Sequence, residues 1–429
     1  MKTTISITAK VENLNENKIR LEIEIPLVRS HVQNEELIQH GLNAGGVLAT
    51  QESLKLFDTD GSPIQIGAIK LTSKGQLEKT YQTPYGAAIV ERHVYQSSEG
   101  GETHCPLERK ARIIGSSTPK LAKMISHKYS RSSVDEVKTD FKSNHGRSLT
   151  KEYIQRTSDL VGSFALAKEE NWSYSTPKIM DNVATVAIGI DGTCMLMRNE
   201  GYRQAMVGTI SLYDKDGERL HSTYVAATPE YGKETFLSRV EREISNVKES
   251  YPDSCYVGIA DGAKDNWPFL KQHTSIQITD FYHASEYLTS ASQAMFSKEN
   301  ERYKWLDNAC HKLKHNKTGA QSLLKEFKKH ADRRLSSAKK EKLKKSISYF
   351  TSQRPRMKYA EMQQKNIPIG SGPTESACKV IVKQRLGRSG MKWKEKGAGI
   401  VLSLRCLDKS YRWEEFWGKI DQYGFSLAV

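Results

Sequence analysis

The chain is poor in the residues that staple small scaffolds. Its six cysteines, Cys105, Cys194, Cys255, Cys310, Cys378 and Cys406, are scattered, and no two form a Cys-x-x-Cys pair. That excludes a disulfide framework and a structural zinc of the usual spacing. Cys310 with His311 and His315 is the nearest approach to a metal cluster, and it reads as polar residues on a basic helix. No apolar run approaches the roughly 20 residues that a membrane span needs. The first residues lack the pattern of a secretory leader. A reduced, cytoplasmic (nucleoid-associated) protein without membrane contact is the expectation. No internal repeat or low-complexity tract is present, which excludes a repeat array.

Acidic charge is also in deficit. Of 429 residues, 65 are Lys or Arg and 50 are Asp or Glu, a formal charge of +15. Such a balance suits a polyanionic partner, most simply nucleic acid. Residues 298–358 carry 19 basic against 6 acidic residues, a net +13, and an evenly solvated surface would not concentrate charge in this way. The length allows two or three domains, each with its own core.

Residues 1–118 read as a β-rich N-terminal domain. Lys18-Ile-Arg-Leu-Glu-Ile-Glu-Ile alternates with period two, and Asp60-Gly61 and Gly100-Gly101 mark turns. Residues 119–183 read as helical. Leu121, Ile125 and Tyr129 share one face, and Ser133-x-x-Glu136 is a capping box before a second helix. A third helix, carrying Tyr153, Ile154, Leu160 and Val161, follows the break at Asn144-His-Gly-Arg-Ser. This is the pattern of a helix-turn-helix, with Lys151, Gln155 and Arg156 facing a major groove; a plain three-helix connector has the same pattern.

Residues 184–290 hold the clearest order. Strands are expected at 186–197, 204–213 and 219–227, the last two joined through the turn Asp214-Lys-Asp-Gly. Thr228-Pro229 is expected to cap a helix whose apolar face is Phe236, Leu237, Val240, Ile244 and Val247. A strand at 254–260, a short helix near Asp265 and a strand at 275–279 complete the order β-β-β-α-β-α-β. That is the order of a ribonuclease-H-like core. A basic all-helical insertion, 291–366, interrupts it, and 367–429 supplies its final helices and a Trp-rich tail. The expected fold class is therefore α/β and multidomain, with a mixed sheet.

Asp191 interrupts the apolar run Val186-Ala-Ile-Gly-Ile-Asp-Gly, Asp261 closes the run Cys255-Tyr-Val-Gly-Ile-Ala-Asp-Gly, and Glu375 follows the turn Gly370-Ser-Gly-Pro-Thr. A carboxylate at the mouth of a buried strand is costly unless it is paired, and divalent metal ions would pair it. Two such ions, Mg²⁺ or Mn²⁺, take oxygen ligands and serve phosphodiester chemistry. Asp-Gly is also a common turn, and Asp60 and Asp216 are assigned to turns alone. Asp191 and Asp261 differ in standing on runs apolar enough for burial on both faces. Asp280-Phe-Tyr-His283 offers a helix cap with a partly buried histidine, or a pair that orients the site from behind the metal ligands. Trp305 is a candidate for stacking on a base, or for a core position. Lys379, Lys383, Arg385 and Arg388 are candidates for phosphate contact from the last helix, or for a solvated face.

The blocks Asp191-Gly-Thr, Ala260-Asp-Gly-Ala-Lys-Asp-Asn-Trp, Thr279-Asp-Phe-Tyr-His-Ala-Ser-Glu-Tyr-Leu and Gly370-Ser-Gly-Pro-Thr-Glu-Ser-Ala-Cys-Lys resemble the DDE transposases of bacterial insertion sequences, in particular the ISKra-type group. Arg385-Leu-Gly-Arg-Ser-Gly-Met-Lys-Trp and Leu404-Arg-Cys-Leu are similar to its C-terminal signature, and Tyr85-Gly, Arg92-His-Val-Tyr and Cys105-Pro-Leu-Glu are similar to N-terminal pieces. The resemblance implies that Asp191, Asp261 and Glu375 are the metal-holding triad and that Asp280 and His283 are the (C/D)xxH element. Asp280 also ends a strand and is the alternative for the second acid. The partners implied are double-stranded DNA, as terminal inverted repeats and as target, and a second copy of the chain. Rival expectations are a transposase-derived DNA-binding regulator, a ribonuclease-H-like nuclease without strand transfer and, least favoured, a carboxylate-pair glycosidase.

Overall fold

Alternating apolar residues, read against a computed structural model that describes residues 6–179, 182–230 and 232–425, resolve into strands that bury one or both faces. The chain divides into two units, 1–172 with 403–429, and 173–402. The segment 367–429, read above as one piece, is thus shared between them.

The first unit opens with a hairpin of β1 (Thr8–Asn15) and β2 (Lys18–Glu24). Helix α1 (His31–Lys55) follows, and a four-stranded antiparallel sheet of β3 (Ile64–Ile66), β4 (Ile69–Gln82), β5 (Ala87–Ser97) and β6 (Gly100–His104) comes next. The strand reading of residues 1–118 did not include α1. Its sequence lacks an apolar stripe and contains Gly41 and Gly45, which are poor helix formers. Tertiary packing offsets that cost, because a Cβ at Gly41 would meet Ile25 Cδ1 at 2.7 Å. The short α2 (Pro106–Lys110) leads to three helices, α3 (Pro119–Arg131), α4 (Val134–His145) and α5 (Lys151–Lys168). The capping box at Ser133 and Glu136 is formed, with both reciprocal hydrogen bonds.

In the second unit β7 (Thr185–Met197), β8 (Gly201–Tyr213) and β9 (Arg219–Ala227) form an antiparallel meander. Helix α6 (Glu234–Ser250) leads to β10 (Cys255–Ala260), and α7 (Asn266–His273) leads to β11 (Ile276–Thr279). The sheet order is β11-β10-β7-β8-β9, with β10 parallel to both β7 and β11. Thr228-Pro229 does not cap α6. Lys233, at φ +63°, holds the cap position, and Glu230 Oε1 accepts the Phe236 N–H at 2.9 Å. A carboxylate from the loop thus satisfies an amide that the helix leaves unpaired.

Both sheet faces are covered, which explains the near-continuous apolar runs. Val186, Ile188 and Ile190 of β7 join Phe236, Val240 and Ile244 of α6 in one core. Ala187, Val257, Ile259 and Ile278 point to the other face and join a core built with the basic helices. Those helices are α8 (Phe281–Met295), α9 (Glu299–His315), α10 (Gly319–Ala331), α11 (Ser337–Gln353) and α12 (Tyr359–Gln364), with a 3₁₀ turn at Arg354–Arg356. Leu288, Leu313, Phe327 and Phe350 supply their part of that core. The helical segment therefore shares one hydrophobic core with the sheet. Then come α13 (Gly372–Ala377), a π-helical turn (Cys378–Lys383), α14 (Gln384–Leu386), α15 (Glu395–Lys409) and α16 (Trp413–Tyr423). Among the described residues no helix is long and apolar enough to cross a membrane.

Helix α13 lies hard against the sheet. A Cβ at Gly189 would overlap Thr374 Oγ1, and Thr374 Oγ1 also hydrogen-bonds Thr209 Oγ1 at 2.7 Å. Gly189→Ala should therefore lift α13 and cost about 1–3 kcal/mol, the usual penalty for overpacking. Thermal unfolding followed by circular dichroism checks this; an unchanged melting temperature would contradict the close approach.

Candidate active site at the ends of strands β7 and β10

The parallel register pairs Ile259 with Gly189, so Asp261 and Asp191, each two residues further on, stand at the same level. Both share the strand parity of Ala187, Val257 and Ile259, so they belong to the face that the basic helices cover. Pairing between β7 and β10 has ended by then: β10 stops at Ala260, while β7 runs on beside β8 to Met197. Asp191 Oδ1 accepts the Gly192 N–H at 2.6 Å, and Asp261 Oδ1 accepts the Ala263 N–H at 2.9 Å. Buried Asn266 donates to the Ile190 carbonyl at 3.5 Å, tying the loop after Asp261 to β7.

The third acid arrives on α13. With Gly189 admitting Thr374 to the sheet, the next turn brings Cys378 Sγ to within 3.6 Å of Asp191 Oδ2 as a donor. Glu375 is three residues before Cys378 and shares its helix face. Ser371 Oγ donates to Glu375 Oε1 at 3.2 Å. The helix changes to π geometry at Cys378, a local widening often found beside functional groups.

Asp280 is fully buried and caps α8. It accepts the His283 N–H at 2.7 Å, His283 Nδ1 at 3.2 Å and the Ser371 N–H. It therefore fastens the start of α13 to the end of β11. The helix-cap expectation holds: Asp280 caps α8, and the partly buried His283 lies against it. His283 Nδ1 is also 3.9 Å from Glu375 Oε1.

Electrostatics separate these groups. Burial, and then the charge of Asp261, raise the Asp191 pKa above the ordinary carboxylate value. Burial, and then the Asp191 charge, push the Cys378 thiol up to about 12, so it stays a neutral donor. Burial alone would raise Asp280, but hydrogen bonds from His283 and Ser371 outweigh it and bring it down. His283 is raised to about 9, first by its hydrogen bond to Asp280. Among the described residues no lysine or arginine forms an ion pair with Asp191, Asp261 or Glu375.

The atoms of Asp280, His283 and Glu375 lie within 4.8 Å of one another, close enough to hold a cation. The same cluster is also a network of close polar contacts, with His283 Nδ1 at 3.2 Å from Asp280 Oδ1 and 3.9 Å from Glu375 Oε1. Both Asp280 oxygens are already engaged, whereas among the described residues Asp261 Oδ2 has no hydrogen-bond partner. Asp191 and Asp261 thus present oxygen donors and uncompensated charge, which suits a hard divalent cation. A cavity of about 430 Å³ beside Asp261 is lined by Asp261, His283, Glu286, Tyr287, Lys345 and Tyr349, among others.

The expected nucleic-acid contacts fare unevenly. Lys379, Lys383 and Arg388 are exposed. Arg385 is 2% exposed, packed over the Trp393 ring at 5.3 Å, and that burial withdraws it from phosphate contact. Trp305 is half-buried against Phe296 and Phe327, with Nε1 donating to Glu326 at 2.7 Å, which is the core position and not an open stacking platform. In the first unit Arg156 is exposed, Lys151 pairs with Asp135 at 2.5 Å, and Gln155 donates to Tyr129 and Asp159 within the bundle. Ser371 and Cys378 were missed as site residues. Their spacing around Glu375, four before and three after on one helix, was the available signal.

No family model matches the chain, and no curated protein matches it in sequence.

The His283–Asp280 pair gives stability a defined pH dependence. A histidine whose folded pKa lies above its unfolded value contributes fully below about 6.5 and loses that contribution as pH rises through about 9. The stability gap between the wild type and His283→Gln should therefore shrink between pH 6.5 and 9.5. Urea unfolding at several pH values measures it; a gap constant across that range would refute the pairing.

Proposed function

We propose that the protein is a DNA transposase of the DDE type with a ribonuclease-H-like core, acting with Mg²⁺ or Mn²⁺ on the ends of an insertion element. The observation that carries this reading is the level pairing of Asp191 with Asp261 on adjacent parallel strands, beneath the helix that bears Glu375. The sheet order, with three antiparallel strands first and two parallel ones added through helices, supports the fold assignment. The sequence resemblance to ISKra-type transposases supports the rest.

In this reading Asp191, Asp261 and Glu375 would hold the two ions. When bound, such ions polarise a phosphoryl oxygen and lower the pKa of a nucleophilic water or hydroxyl. The chain's own groups do the positioning. Gly189 and Thr374 set the height of α13 over the sheet, and Asp280 with His283 fixes the turn from which Glu375 projects. Lys379, Lys383 and Arg388, exposed along the helix after Glu375, are suited to the backbone of a bound strand. The net +13 of residues 298–358 supplies a broader attraction for DNA that weakens with salt. Two element ends must be handled together, so a homodimer or larger assembly on DNA is part of the proposal.

The test is cleavage of supercoiled donor DNA carrying the element's own flanking inverted repeats, in Mg²⁺, with Ca²⁺ as the binding control. Asp191→Asn, Asp261→Asn and Glu375→Gln should each reduce cleavage below detection while end binding persists. Asp280→Asn and His283→Ala should slow it by about 10–100-fold, as outer-sphere supports of a metal site do. Full cleavage by any triad variant would sink the assignment. Hydrolysis products without strand transfer would favour a nuclease, and binding without cleavage by the wild type would favour a regulator.

A further inference from the structure

The loop that carries Asp261 is held from outside the sheet. Among the described residues the Asp261 carbonyl accepts from Tyr349 Oη at 2.7 Å, and the Gly262 carbonyl accepts from Gln353 Nε2 at 3.0 Å. Tyr349 and Gln353 are one turn apart on α11, so a single helix face makes both bonds. Gln353 is buried, and its Oε1 accepts from Thr279 Oγ1 at 3.2 Å and from Arg356 Nη1 at 3.3 Å. Thr279 is the residue before Asp280. The same turn of α11 therefore grips the ends of β10 and β11 together. Tyr359 adds a fourth bond to these strand ends, from Oη to the Thr279 carbonyl at 2.8 Å.

The fit leaves little slack. Gly262 sits at φ +108°, a conformation that L side chains rarely adopt, and a Cβ there would meet the Tyr349 ring at 2.9 Å. The Tyr349 ring is stacked on Tyr287 of α8 at 3.8 Å, nearly parallel. Ser346, one turn earlier on α11, donates to the Tyr287 carbonyl at 3.0 Å. The phenol is thus braced on one side and bonded to the loop on the other. Asp261 stands one residue past the end of β10, beyond the last β7–β10 register pair.

We propose that Tyr349 and Gln353 are positioning residues: through the carbonyls of Asp261 and Gly262 they hold the Asp261 carboxylate at the level of Asp191 and so set the affinity of the site for a divalent cation. The inference rests on the metal-site reading given above. It also assigns the basic helical segment a part in the active site beyond attraction for DNA, since α11 carries both groups.

The experiment is Mn²⁺ titration calorimetry of the full-length protein without DNA, on the wild type, Tyr349→Phe and Gln353→Met, together with thermal unfolding in EDTA. Tyr349→Phe keeps the ring stack and removes one hydrogen bond, so affinity should fall about five- to tenfold while the melting temperature stays within a few degrees. Tyr349→Phe with wild-type affinity and a wild-type melting temperature overturns the proposal, and so does a loss of affinity that only follows unfolding. A wild type that binds no Mn²⁺ overturns the metal-site reading and this proposal with it. Binding by the wild type that is lost in Asp261→Asn but untouched in both α11 variants overturns this proposal alone.

Discussion

The parallel pairing of β7 with β10 is the constraint from which the rest of the candidate site follows. Each strand is buried on both faces, so its register is locked by side chains that have no alternative partner. A one-residue slip would exchange Ala187 and Ile188 between cores that differ in shape and depth. With the register locked, Asp191 and Asp261 are held level, and their carboxylates share one face. Burial, and then the charge of Asp261, work against the charge of Asp191.

Around this pair the structure spends its polar contacts on orientation. Asp280 is the hub. Its buried carboxylate receives amide hydrogens from two segments distant in sequence and an imidazolium as well. A carboxylate with three donors stays ionised even when it is removed from water. Its energetic role is therefore opposite to that of Asp191, a half-buried acid on the central strand β7. Two acids of one type take different parts because their donors differ. The helical segment contributes by sharing a core with the sheet, which couples α11 mechanically to the loop after β10.

Much of the second unit was legible in the residues. The near-continuous apolar run located β7 within one residue, and the turn Asp214-Lys-Asp-Gly placed β9 at its observed bounds, because two-sided burial and turn chemistry leave strong local patterns. The capping box at Ser133 was legible for a local reason, since a cap acts on its own backbone. What failed were features that depend on distant partners. Helix α1 runs through glycines because a strand hairpin lies against it. Lys233 caps α6 because Glu230 supplies the missing acceptor. Arg385 is buried although its neighbours Lys383 and Arg388 are exposed, and the Trp393 ring that covers it gave no local sign.

By itself the sequence determined the strand order, the ends on which the acids stand and the excess of positive charge in one segment. These follow from local periodicity, turn chemistry and composition, and none needs a distant residue. Only the tertiary structure decided which acids are level and which acid is spent on hydrogen bonds. It alone brought Ser371, Cys378, Tyr349 and Gln353 to the site, the last two across 88 and 91 residues of chain. The physical reason is the range of the interactions. A strand's pattern is written every second residue, whereas a hydrogen bond across a core leaves no trace until both partners are folded into reach.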